Sequence, residues 1–126
     1  FYHSLEHVYS PSSTLEAAHK LLKSGGELLV AVPNFGSGER KLFGKNWGWL
    51  QMPTHLYHFD KPALERLVAA AGFVDVHTQY SFHGYSVDTG IFGVFRRVAE
   101  PLLKIFALGS AMLGDGKALT LTARKP

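Results

Sequence analysis

From Pro11 onward apolar residues recur at helical spacing. Leu15, Ala18 and Leu22 fall on one face and Leu21 widens it. Pro11-Ser12-Ser13 opens this predicted helix, and Ser13 and Glu16 have the spacing of a capping box. Gly25-Gly26 ends it, because glycine tolerates the left-handed conformation of a helix terminus. The pattern then changes. Leu28-Leu29-Val30-Ala31-Val32 is an unbroken apolar run stopped by Pro33-Asn34, the signature of a strand buried on both faces of a parallel sheet. A long loop follows, in which Gly36-Ser37-Gly38 precedes Glu39-Arg40-Lys41 rather than an apolar helix and reads as flexible. The second helix is capped by Asp60, carries Pro62 in its first turn and places Leu64, Leu67, Val68 and Ala71 on one face before Gly72. From Phe73 to Tyr80 the period falls to two, with Val74, Val76, Thr78 and Tyr80 alternating against Asp75, His77 and Gln79.

Residues 91–113 read as one or two helices with Pro101 at a kink or a second start. Their stripe of Val94, Phe95, Val98, Leu102, Ile105 and Phe106 suits core first, a dimer surface next and a membrane-surface helix last. Gly114-Asp115-Gly116 makes a turn, and Ala118 to Ala123 alternates Leu119 and Leu121 with Thr120 and Thr122 as a last strand. Helix–strand pairs with a closing strand imply an open α/β sheet.

Composition narrows the function classes. The chain of 126 residues is 46% hydrophobic and 18% charged, as in globular proteins, so it forms one small domain or part of one. There is no cysteine, which excludes disulfides and thiolate-bound metals and suits a reducing cytoplasm. The net charge of +3 is spread out, with Arg96-Arg97 and Arg124-Lys125 the adjacent basic pairs, so no nucleic-acid face is expected. Arg96, Arg97, Glu100 and Lys104 interrupt the most apolar stretch and argue against membrane insertion. No signal peptide is visible, and the opening Phe1-Tyr2 pair suggests a segment of a longer protein.

Four phrases in order carry a family resemblance. "HSLEHV" before a proline, "LLKSGGELLVAVPN", "PTHLYHFDKPALERLVAAAGF" and the terminal "ALTLTARKP" resemble the second half of class I S-adenosylmethionine-dependent methyltransferases, in particular the bacterial ubiquinone-type, sugar and natural-product group. The resemblance spans residues 1–82 and 115–126 and leaves 83–114 as a variable helical insertion in a single partial domain. It implies the C-terminal half of a Rossmann-like seven-stranded sheet. Phe1 would follow strand four, Leu28–Val32 would be strand five, Phe73–Tyr80 strand six, and Ala118–Ala123 an antiparallel strand seven between them. It also implies S-adenosylmethionine as cofactor and a small-molecule acceptor. The first three strands and the Gly-rich loop that cradles the cofactor have no counterpart in these residues. The outer edge of Leu28–Val32 would then need a cover: a local segment such as residues 1–8, another part of the fold, or a second copy in a homodimer, for which the 91–113 helix is the other candidate surface.

Ligands of open α/β sheets bind beyond the carboxyl ends of strands, so the segments 2–7 and 34–59 are the candidate site. The resemblance places Tyr2, His3 and Ser4 beside the cofactor and Asn34, Trp47, Trp49 and His55 in the acceptor pocket. Removing an acceptor proton near pH 7 suits a neutral imidazole, which makes His3, His7, His55 and His58 candidate bases, with His7, His55 and His58 assigned the catalytic role. Each has a plainer reading: His55 and His58 could pin the loop to the next helix, the tryptophans could be a lid packed on the core, and Asn34 could shape the strand end. Tyr57 and Phe59 read as core, and His19 and His77 as solvent-facing. His3, Glu6 and His7 would share one face if helical, a set that suits a divalent metal. Related metal-using methyltransferases carry Glu-x-x-Glu-His, whereas the first position here is His3, so no metal is assigned. A non-catalytic binding or assembly module is the second reading of the whole chain, and a metal-dependent hydrolase built on the seven histidines is the third.

Overall fold

The structure, a computed structural model, describes residues 1–81 and 116–126. In chain order these form helix α1 (Pro11–Leu21), strand β1 (Glu27–Pro33), helix α2 (Gly38–Phe43), helix α3 (Lys61–Ala70), strand β2 (Val74–Ser81) and strand β3 (Ala118–Arg124), with short 3-10 turns at Leu5–His7 and Gly44–Asn46. The expected helices and turn within 82–115 lie outside the described residues.

The strands form a sheet of order β1-β3-β2 in which β3 runs antiparallel to both neighbours. This is the arrangement expected for strands five, seven and six. Val30 pairs with Leu121 and Val32 with Leu119, all four fully buried, so the alternation of the two strands meets on one apolar face. Leu15 of α1 and Leu64 and Val68 of α3 close that face from above, and all three have no exposed surface. Burying each such side chain stabilises the fold by roughly 1.5–3 kcal/mol.

Residues 1–3 complete the sheet on the outer side of β1. The Ala31 N–H donates to the Phe1 carbonyl at 2.8 Å, the His3 N–H donates to the Ala31 carbonyl at 2.9 Å, and the Phe1 nitrogen donates to the Leu29 carbonyl at 2.7 Å. Tyr2 and Ala31 thus form a parallel bridge. The edge of β1 is covered by the local segment, which satisfies backbone groups that would otherwise stand unpaired.

Five expectations need correction. The cap of α1 is Ser10, whose hydroxyl accepts from the Ser13 N–H at 3.4 Å, so the helix starts three residues before the expected capping box. Leu22 packs on the core, but Leu21 is 86% exposed, because α1 presents a narrow stripe to a small sheet. Leu29 is 48% exposed, so β1 is buried on both faces only toward its carboxyl end, where Ala31 is covered. In β2 the register shifts between Val74 and His77 and Asp75 adopts φ 51°, a bulge that turns Val74 out to 40% exposure while Val76 and Tyr80 keep the core side. Asp75 is held there by Arg124 at 2.6 Å, and Gly72, at φ 96°, makes the preceding turn without steric conflict. His19 also departs from its solvent-facing reading, since its ring lies edge-on to Phe73 at 4.9 Å.

Candidate functional site

Residues 1–3 and β1 run parallel, so the segments that leave them, 4–7 and 34–59, emerge at the same carboxyl end of the sheet. Backbone bonds join the two segments: the Leu56 and Tyr57 N–H groups both donate to the Glu6 carbonyl, at 2.9 and 3.1 Å. Leu5 in the 3-10 turn has no exposed surface and anchors the first segment in the core.

The 34–59 segment is held by contacts within itself and to residues 6, 116 and 117. Ser37, expected in a flexible glycine loop, is 1% exposed and caps α2 by accepting from the Arg40 N–H at 3.2 Å. This helix is too short and too polar for hydrophobic periodicity to reveal it. Asn34 donates to the Gly116 carbonyl at 2.7 Å and accepts from the Gly36 N–H at 2.9 Å. It is 2% exposed, so its amide is committed to shaping the strand end rather than to an acceptor. Trp47 is 2% exposed and meets Phe35 edge-on at 6.0 Å, as part of the inner packing of the segment rather than a pocket wall. Trp49 is half-buried and stacks on His3, centroids 5.3 Å apart and rings 13° from parallel. Phe59 belongs to the core as expected. Tyr57 does not; it is 40% exposed and its hydroxyl donates to the Tyr9 carbonyl at 3.0 Å.

Four of the seven histidines converge here with Glu6. His7 and His55 meet edge-on at 4.7 Å, and His55 and His58 lie 6.2 Å apart. Each of the three is fastened to a backbone carbonyl: His7 Nδ1 to Thr54 at 2.9 Å, His55 Nδ1 to Trp49 at 2.7 Å and His58 Nε2 to Leu50 at 3.1 Å. A carbonyl only accepts, so these nitrogens carry the ring protons, and the other nitrogen of each neutral ring holds a lone pair. His55 and His58 therefore do pin the loop; they also keep a basic nitrogen. Burial lowers the pKa of His55 below the usual imidazole value, an effect partly opposed by its bond to the Trp49 carbonyl and by the nearby Glu6. His7 is the exposed member.

Glu6, named in the sequence only as a member of the His3, Glu6 and His7 set, is the buried charge of the cluster. It is 1% exposed, and neither carboxylate oxygen has a hydrogen-bond partner. His3 Nδ1 approaches it to 3.5 Å without hydrogen-bond geometry. The candidate set of His3, Glu6 and His7, to which no metal was assigned, differs from the grouping found among the described residues, where donor atoms of Glu6, His7 and His55 lie within 4.8 Å of one another. His3 is turned aside by its φ of 45° and its stack on Trp49. Tyr2, 70% exposed, and Ser4, half-buried, stand at the end of the parallel segment where the cofactor residues were expected. An open groove of about 580 Å³ lies elsewhere, between Phe1, Tyr9 and the Ser13–Leu21 side of α1, away from the histidines.

The family model for a methyltransferase domain matches residues 1–78. Among solved structures, a SAM-dependent methyltransferase of Thermotoga maritima, described as a possible histamine N-methyltransferase, is 18% identical with a TM-score of 0.64; the alignment covers 98% of this chain and 52% of that one. A SAM-dependent methyltransferase of Archaeoglobus fulgidus is 17% identical with a TM-score of 0.62, covering 99% of this chain and 57% of that one. Phosphoethanolamine N-methyltransferase 2 of Haemonchus contortus, in complex with S-adenosyl-L-methionine, is 13% identical with a TM-score of 0.52 over 97% of this chain and 31% of that one. The structural likenesses show a shared fold, and the chain spans about half the length of the first two. No curated protein sequence matches. With the family model covering more than half of its length, on a sheet whose antiparallel strand lies between the two others, the chain belongs to the methyltransferase-domain family.

Proposed function

We propose that this chain is the acceptor-side half of a domain that moves a methyl group from S-adenosylmethionine to a small-molecule acceptor. The observation that carries the reading is the convergence of segments 4–7 and 34–59 at the carboxyl end of a parallel strand pair, in a chain of the methyltransferase-domain family. Residues 1–3 fit beside the cofactor because they end a strand parallel to β1 and turn out of the sheet at His3. The cofactor supplies an electrophilic methyl group on a sulfonium. The acceptor's lone pair forms the new bond to carbon as the carbon–sulfur bond breaks, and the sulfur keeps that electron pair. Tyr2, His3 and Ser4 border the cofactor side, and Trp49, stacked on His3, limits how the acceptor approaches. Such alignment supplies much of the rate in an in-line transfer. The acceptor's proton is drawn into the cluster of Glu6, His7 and His55, whose ring lone pairs are its basic groups. No helix among the described residues is long and apolar enough to cross a membrane, and a cysteine-free chain suits the cytoplasm.

The test is transfer of labelled methyl from S-adenosylmethionine, catalysed by the purified full-length protein, to a panel of small amine and hydroxyl acceptors. Label should appear in at least one acceptor, with S-adenosylhomocysteine formed in equal amount. A protein that neither binds S-adenosylmethionine nor turns it over would make the binding or assembly module the better reading.

A further inference from the structure

The Glu6 carboxylate poses an electrostatic problem. It is 1% exposed with both oxygens unpartnered, and burying an uncompensated charge is heavily disfavoured. His7 and His55 cannot donate to it while neutral, because each has already given its ring N–H to a carbonyl, at 2.9 and 2.7 Å. A Glu6 oxygen and one ring nitrogen from each histidine lie within 4.8 Å of one another. The cluster therefore gathers electron-pair donors around a space that lacks a positive charge.

We propose that Glu6, His7 and His55 form a binding site for a divalent transition-metal ion. One carboxylate and two imidazoles suit Zn²⁺, Co²⁺, Mn²⁺ or Fe²⁺, whereas Mg²⁺ and Ca²⁺ favour all-oxygen sets. The bonds from His7 to the Thr54 carbonyl and from His55 to the Trp49 carbonyl fix each ring, as the second ring nitrogen of a metal-bound histidine is usually fixed. Donors about 2.1 Å from a shared ion stand roughly 3.4 Å apart, so a separation of 4.8 Å needs to close by about 1.4 Å. His7 lies on the exposed side, so its ring can shift about the Thr54 bond without repacking the core. Three protein ligands leave a coordination position open to water or an acceptor heteroatom. That last role alone rests on the methyl-transfer reading; in it, the histidines act as ligands, and the bound ion makes the acceptor easier to deprotonate.

The experiment is titration of the purified, metal-free protein with Co²⁺, followed by displacement with Zn²⁺, in the absence of S-adenosylmethionine and acceptor. One Co²⁺ per chain should bind, with visible d–d absorption and a rise in melting temperature. His7→Ala, at an exposed position, should weaken binding about 100-fold with the circular dichroism spectrum intact. Glu6→Gln should abolish the absorption, and His77→Ala, outside the cluster, should leave it unchanged. No saturable uptake, or uptake that survives both His7→Ala and Glu6→Gln, overturns the proposal. So does a metal-free protein in which NMR shows a protonated His3 held against Glu6 and no Co²⁺ bound, since a proton then supplies the missing charge. Because no turnover is read, stoichiometric binding without methyl transfer would sink the functional reading and leave the metal site standing.

Discussion

His55 combines a structural bond with a chemical opportunity. Its Nδ1 proton holds the Trp49 carbonyl, and the imidazole is 5% exposed, so removing it leaves a buried acceptor unpaired. That loss should cost on the order of 1–3 kcal/mol. If the ring also serves the acceptor's deprotonation, directly or as a ligand, His55→Ala should lower methyl transfer per folded molecule by about 100-fold or more. The two effects separate when turnover is normalised to the folded fraction and compared with the melting temperature. A lower melting temperature with unchanged normalised turnover would reduce His55 to a loop pin. Asn34 already has the simpler role, since both ends of its amide are tied to backbone at Gly116 and Gly36.

Within α1 the same periodicity marks Leu15 and Leu21, and packing then separates them. Leu15 is fully buried under the sheet and Leu21 is 86% exposed. Leu15→Ala should therefore destabilise the chain by about 2–5 kcal/mol, whereas Leu21→Ala should stay within about 0.5 kcal/mol. Urea unfolding of both variants checks this, and comparable losses would mean that Leu21 is covered in solution. The order of these helices and strands was legible in the sequence, because strand period, Asp60 capping and glycine punctuation act locally, whereas the place of β3 between β1 and β2 was implied by the family resemblance. Helix α2 was not. It rests on the Ser37 cap and lies beside the Phe35–Trp47 ring contact, neither of which leaves a periodic trace over six residues.

At the scale of the whole molecule, the chain covers 52% and 57% of the first two similar structures, and its described residues hold no Gly-rich phosphate-type loop after a strand. Residues 1–126 by themselves should therefore bind S-adenosylmethionine weakly or not at all. Calorimetry on the isolated chain checks this, with micromolar affinity as the contrary outcome.

What the sequence determined by itself was α1, α3 and the three strands, the family and the two segments that border the candidate site, since each is written in neighbouring residues. Tyr2, His3, Ser4, His7, Trp49 and His55 were all named as candidates from what the family resemblance implies about the segments beyond strand ends. The tertiary structure decided which of them meet. Glu6 and His55 are far apart in the chain, and they come together because residues 1–3 pair with β1 and the Glu6 carbonyl holds Leu56 and Tyr57. Burial then strips Glu6 of water without giving it a donor, and carbonyls at Thr54 and Trp49 fix which nitrogens of His7 and His55 keep their lone pairs. Solvation and tautomer depend on what surrounds a group in space, and no local spacing encodes that.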